Sequence, residues 1–337
     1  MRVFLSPFAR FALLLTLSAM FLSGIQAQRP SRKVTVDRVA SVPASLSLRT
    51  AMDTDMDGKA DFTVFRPSDN FWYTLQSSGS VRTIPWGWAG EDMMAPGDYD
   101  GDGIGDLAVW RETNGVWYIL KSSDGSVRYL AWGMSGDEPV ARDYDGDGIT
   151  DVAVARRSGG FMTWYILGSL VGSLTVQWGL ASDFATPGDY DGDGKFDLSV
   201  QRPGATPTSQ ATFYTLNSRD GSASTFVWGT ANDLVVPGDY DGDGRTDYAI
   251  FREGATPESA IEWWIYQSTD GVVAHVFGTT GTDYNVQNDY DGDGKTDIAV
   301  WRDSDGTFWW RRSSDGVVNA LRWGAPNDYP VASYDTH

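Results

Sequence analysis

The chain has 337 residues, no cysteine, and 45 acidic against 26 basic side chains, for a formal charge of −19. That balance, with no basic stretch, argues against nucleic acid as a partner, because the phosphate backbone is bound by clustered Lys and Arg. Without cysteine there is no disulfide framework, so rigidity must come from packing or from bound ions.

Taken in order, residues 1–27 read as an export signal. Arg2 and Arg10 flank an apolar run from Phe11 to Ile25, and Ala27 offers a small residue for cleavage. The run is shorter than the ~20 residues of a membrane helix, so an uncleaved anchor ranks second. No other long apolar stretch follows. The mature chain is expected to carry no membrane span and to be secreted, periplasmic or held at the cell surface. Residues 28–46 form a polar lead or linker with a short alternation at Lys33-Val34-Thr35-Val36.

Residues 47–337 repeat one plan. Its centre is a nine-residue acidic loop, seen in Asp98-Tyr99-Asp100-Gly101-Asp102-Gly103-Ile104-Gly105-Asp106. Six copies occur. Position 1 is Asp53, Asp98, Asp143, Asp189, Asp239 and Asp289. Position 3 is Asp55, Asp100, Asp145, Asp191, Asp241 and Asp291. Position 5 is Asp57, Asp102, Asp147, Asp193, Asp243 and Asp293. Position 9 is Asp61, Asp106, Asp151, Asp197, Asp247 and Asp297. Four carboxylates in nine residues repel one another, by up to about 4 kcal/mol per pair at ~4 Å and an effective dielectric near 20. A hard divalent cation relieves that conflict. Ca²⁺ fits best, since it accepts six to eight oxygens in flexible geometry, whereas Mg²⁺ keeps its waters. Position 6 is Gly, for the sharp turn. Position 7 (Lys59, Ile104, Ile149, Lys195, Arg245 and Lys295) is expected to add a backbone carbonyl. Up to six structural Ca²⁺ are therefore expected. Without Arg2 and Arg10 the charge of −19 becomes −21, and six Ca²⁺ would return +12 to leave about −9. Six copies of the same four Asp weigh against merely solvated acidic turns.

No Glu stands at position 12, and the loop leads into a strand-like run, Leu107–Arg111, not a helix. Loop starts are 45, 45, 46, 50 and 50 residues apart, the period of a four-stranded propeller blade. In the second repeat, strand A runs into the loop around Met93–Gly97 and strand B is Leu107–Arg111. Strand C is Val116–Lys121, then a Ser122–Gly125 turn, strand D is Val127–Trp132, and the next strand A opens at Pro139. Strand D closes each time on an aromatic-Gly pair: Trp86-Gly87, Trp132-Gly133, Trp178-Gly179, Trp228-Gly229, Phe277-Gly278 and Trp323-Gly324. These aromatics are expected between blades. Strand B ends on Arg66, Arg111, Arg156, Arg202, Arg252 or Arg302, expected to pair with acids or cap carbonyls between blades. The expected fold is all-β, a propeller of six four-stranded blades with the acidic loop between strands A and B. The alternative is seven blades, because Tyr329–Asp335 resembles the start of another repeat.

These motifs resemble the FG-GAP/VCBS repeats, the calcium-loop propellers also found in integrin α-subunit heads. The resemblance covers about residues 47–335, nearly the whole chain outside the leader. It departs in having Trp-Gly at five of six Phe-Gly positions, and Thr54 and Met56 in the first loop. It implies a Ca²⁺-binding propeller and leaves the biological role open.

Chain direction puts the acidic loops and C–D turns on one rim and the B–C loops and D–A connections on the other. The long repeats spend their extra residues in B–C loops, at Pro203–Pro207 and Gly254–Pro257, so a partner is expected on that rim. The first functional reading is a noncatalytic extracellular recognition or adhesion module, monomeric, taking a protein or glycan. A lectin is the alternative. A polysaccharide-active enzyme ranks third: only His275 and His337 are present, with no nucleophile elbow or zinc motif, and the ion loops account for the paired carboxylates.

Overall fold

Every repeat becomes a four-stranded antiparallel sheet in the computed structural model, which describes residues 51–332. The expected signal (1–27) and lead (28–46) lie outside the described residues. Blade 1 holds β1 (Phe62–Arg66), β2 (Phe71–Leu75) and β3 (Val81–Pro85). Blade 2 is β4 (Asp92–Met94), β5 (Leu107–Arg111), β6 (Val116–Leu120) and β7 (Val127–Ala131). Blade 3 is β8 (Asp137–Pro139), β9 (Val152–Ser158), β10 (Phe161–Gly168) and β11 (Gly172–Leu180). Blade 4 is β12 (Phe184–Ala185), β13 (Leu198–Arg202), β14 (Gln210–Leu216) and β15 (Ala223–Thr230). Blade 5 is β16 (Leu234–Val235), β17 (Tyr248–Arg252), β18 (Ala260–Gln267) and β19 (Gly271–Thr279). Blade 6 is β20 (Asp283–Asn285), β21 (Ile298–Arg302), β22 (Thr307–Arg311) and β23 (Val318–Arg322). The last strand, β24 (Tyr329–Val331), pairs with β1, setting Thr63 opposite Val331 and Phe65 opposite Tyr329. The fold is a six-bladed β-propeller. No seventh blade forms among the described residues. Tyr329–Val331, the described start of the stretch that resembles a further repeat, covers the open edge of β1, which would otherwise leave a row of unpaired backbone groups.

Strand C shows why the sheets stack. Its alternate residues Trp72, Trp117, Trp164, Phe213, Trp263 and Phe308 are fully buried, each facing a strand-B residue in register. The aromatic-Gly pairs supply the joints between blades. Trp132, Trp178, Trp228 and Trp323 donate their indole N–H to the carbonyls of Tyr165, Tyr214, Trp264 and Tyr73 in the following blade. They are half-buried, so the strand-C aromatics and not these form the deepest core. The glycine after each aromatic lies against the next blade's strand B. A Cβ on Gly87 would meet Val109, and one on Gly324 would meet Val64 across the ring closure, at 3.1 and 3.2 Å. Both glycines also have φ above +80°, so no other residue fits without strain.

Two details differ from expectation. Regular strand A stops earlier than Gly97, at Met94, and Gly97 makes one bridge to Asp106 as the chain turns into the loop. In blades 3, 4 and 5 strand D runs on through the aromatic-Gly pair, made longer by bulges opposite Phe161–Thr163, Gln210–Thr212 and Ala260–Glu262.

Candidate metal centres

Each acidic loop is folded by its own first carboxylate. Asp98 accepts the N–H of Gly101 at 2.6 Å and of Gly103 at 2.9 Å, and the same pair of bonds recurs from Asp143, Asp189, Asp239 and Asp289. Gly101 and Gly103 sit at φ of 78° and 84°, so position 4 needs glycine as much as position 6 does. The first loop has Met56 there, at φ 62°, an L-residue held in the left-handed region. Tyr at position 2 anchors the loop: Tyr99, Tyr190, Tyr240 and Tyr290 donate their hydroxyls to carbonyls four residues earlier.

The loops are linked into a ring. The position-8 N–H of each loop donates to the position-1 carbonyl of the preceding one. Gly105 donates to Asp53, Thr150 to Asp98, Phe196 to Asp143, Thr246 to Asp189, Thr296 to Asp239 and Ala60 to Asp289, at 2.7–2.9 Å. Position 7 carries a second link, since the stems of Ile149, Lys195, Arg245, Lys295 and Lys59 lie against the position-4 glycines of the preceding loops.

The structure draws positions 1, 3 and 9 together more closely than the sequence pattern indicates. Asp98, Asp100 and Asp106 offer oxygens within 4.8 Å of one another, as do Asp143, Asp145 and Asp151; Asp189, Asp191 and Asp197; and Asp239, Asp241 and Asp247. In the first loop the group is Asp53, Asp55 and Asp57. In loops 2 to 5 position 5 stands outside the triad, and in all six loops a serine at the start of the C–D turn engages it. Ser122 donates its hydroxyl to Asp102, Ser169 to Asp147, Ser218 to Asp193, Ser268 to Asp243, Ser313 to Asp293 and Ser77 to Asp57. The backbone N–H of the same six serines bonds the position-9 carboxylate at 2.6–2.8 Å. These serines were legible in the sequence as the residue that opens the turn after strand C in every repeat.

The donor set fits a hard cation. Buried carboxylate oxygens almost always have hydrogen-bond partners. Yet Asp55 Oδ1 and Oδ2, Asp100 Oδ1 and Asp145 Oδ1 are buried with none, all at position 3. Burial also pushes the position-9 carboxyls up, with neighbouring carboxylates adding to it: Asp61 and Asp106 to about 6, Asp151, Asp197 and Asp297 to about 7, and Asp247 to about 8. Asp143, Asp189 and Asp239 at position 1 are raised to about 6 for the same reason, and Asp98 is raised as well. Bound Ca²⁺ would restore these groups to the ionised form.

The opposite rim carries a second sixfold constellation. The strand-B arginines do not bridge blades. Each forms a two-pronged pair with an Asp entering strand A of its own sheet: Arg66–Asp328, Arg111–Asp92, Arg156–Asp137, Arg202–Asp183, Arg252–Asp233 and Arg302–Asp283, at 2.6–3.0 Å. The guanidinium stacks on a strand-C ring, 4.2 Å from Tyr73 and 4.3 Å from Tyr214. The partner Asp sits 19 residues before its Arg in five repeats, a spacing visible in the sequence. On this rim Trp88 caps Arg111 at 3.9 Å, and a pocket of about 520 Å³ opens between blades 1 and 2, lined by Asn70, Trp86, Trp88, Arg111, Tyr118 and Tyr129. The long B–C loops, on the same rim, are braced by Thr206–Ser209 and Thr256–Ser259 hydroxyl bonds.

No family model matches the chain, and no curated protein matches it by sequence. Solved structures similar to it include a triple Arg-to-Ala mutant of AofleA from Arthrobotrys oligospora (10% identity, 86% of this chain and 90% of that one, TM-score 0.47). Selenomethionine-substituted virginiamycin B lyase from Staphylococcus aureus matches at 9% identity over 79% and 81% of the two chains, TM-score 0.46. The β-propeller domain of the Trilobed protease from Pyrococcus furiosus, which has an open velcro topology, matches at 11% over 72% and 85%, TM-score 0.36. The six-bladed assignment stands on the strand pairing itself.

Proposed function

We propose that the chain is an exported, calcium-loaded propeller of the FG-GAP/VCBS kind, acting as a noncatalytic recognition module. The supporting observation is the set of buried position-3 oxygens without partners inside triads of carboxylates. A carboxylate left in this way costs several kcal/mol unless a cation sits beside it. Calcium then serves the scaffold, and the partner is taken by the other rim. The noncatalytic reading rests on the clustered carboxylates belonging to the acidic loops, on the strand-A aspartates being paired with arginines, and on His275 being bonded to Arg311. Calorimetric titration of ion-stripped protein with Ca²⁺ tests the ion reading. Heat of uptake with a higher melting temperature is expected; neither would be seen if the loops were only turns.

A lectin is the second reading, favoured by one place on the outer rim. Trp88 is 56% exposed and Tyr129 67% exposed, around a polar floor of Asn70 and Arg111. Flat aromatic faces beside hydrogen-bonding groups suit a pyranose. A glycan array on calcium-loaded protein, repeated with Trp88→Ala, separates the readings: a hit lost in the variant favours the lectin, and no hit favours a protein partner.

A further inference from the structure

We propose an anion-binding pocket between blades 5 and 6, on the rim of the acidic loops, that takes a single oxyanion group: a sulfate, a phosphate monoester or a sugar carboxylate. Its origin is a break in the repeat. Arg311 stands opposite Ile298 at the end of strand C. At the same register the other blades carry Leu75, Leu120, Leu167, Leu216 and Tyr266. Where five blades place an apolar or aromatic side chain, blade 6 places a guanidinium.

That guanidinium is half-buried, and among the described residues it has no carboxylate at ion-pair distance. Its polar contact is with a neutral group: Arg311 Nη1 lies 3.1 Å from His275 Nδ1 across the joint. A guanidinium only donates, so the ring accepts at Nδ1 and carries its proton on Nε2, a further donor; burial and the nearby arginine hold the His275 pKa below its ordinary value. Lys295 lines the same pocket, its stem lying along Gly242 of the preceding loop, and it too has no ion pair among the described residues. Around about 400 Å³ the joint thus gathers Arg311, Lys295 and His275, with Gln267 and Ser313 on the wall. Asp315 is there as well, but Arg312 engages it. In a chain of net charge −19, two cations without carboxylates facing one cavity are the reverse of the general trend. A half-buried guanidinium without an anion is costly, and its planar fork matches an oxyanion.

The test uses calcium-loaded protein, titrated calorimetrically with sodium sulfate, glucose 6-phosphate and glucuronate in separate arms at low ionic strength. At least one is expected to saturate with a Kd of about 1 mM or tighter, and the arm that does so names the source. Arg311→Leu restores the residue common at this register, so it is expected to melt no lower than the parent and to weaken binding at least about tenfold. Arg311→Lys, which keeps the charge and loses the fork, is expected to fall between. No saturation in any arm, or equal binding by Arg311→Leu, overturns the proposal. Because the ion loops remain intact in both variants, this outcome is separable from failure of the calcium reading.

Discussion

Replacing Asp145 by Asn should change stability with opposite signs in the presence and absence of calcium. The residue is 6% exposed; its Oδ2 accepts the N–H of Leu170 at 2.9 Å and of Val171 at 3.1 Å, while its Oδ1 has no partner. Asn retains one carbonyl oxygen for those two bonds and puts an NH₂ where the orphaned oxygen was, beside Asp143 and Asp151. Two ionised carboxylates within 4.8 Å of each other repel by at least about 3.5 kcal/mol at an effective dielectric of 20. Partial protonation and counterions reduce the relief to about 1 kcal/mol. The ion-free variant should therefore melt at or slightly above the parent. With Ca²⁺ at 100 times Kd, a lost site forfeits about 2.7 kcal/mol, a fall in melting temperature of roughly 4 to 5 °C for a domain of this size. Differential scanning calorimetry in chelator and in excess Ca²⁺ reads both signs, and titration calorimetry should count one ion fewer. An equal destabilisation in both conditions, with unchanged stoichiometry, would refute the cage and leave Asp145 a loop-bracing residue.

Two further outcomes follow from other parts of the molecule. The raised carboxyls titrate between 3.8 when unfolded and about 6 to 8 when folded, so the ion-free native state holds the extra protons across that window. Their stabilising protonation is complete below pH 3.8 and is lost as pH rises through 6 to 8; the ion-free melting temperature should fall over that range while calcium affinity climbs. A flat ion-free profile from pH 5 to 8 would contradict it. Asp183→Ala removes the buried partner of Arg202 and an acceptor for the Leu180 N–H. It should cost about 2 kcal/mol in urea unfolding, less than a fully buried pair because Arg202 is one-third exposed. A change under about 0.5 kcal/mol would show that the sixfold pairs are ornamental to stability.

Residue pattern alone determined the repeat, its strand order and its acidic loops, because each rests on local rules. Period-two alternation makes Leu107–Arg111 a strand, Asp–Gly spacing makes Asp98–Asp106 a turn, and both recur six times. Tertiary structure decided what depends on partners remote in the chain. Whether Tyr329–Val331 begins a seventh blade or completes the first is a question of which edge is unpaired, and the open edge of β1 answers it. The same holds for the arginines, whose Asp partners come from the neighbouring strand of their own sheet, and for position 5, which meets a serine from the C–D turn and stands outside the triads in loops 2 to 5. Arg311 and His275 are 36 residues apart and meet only because blades 5 and 6 adjoin. Spacing along the chain records what each repeat does within itself, and closing the ring brings one repeat's side chains against another's.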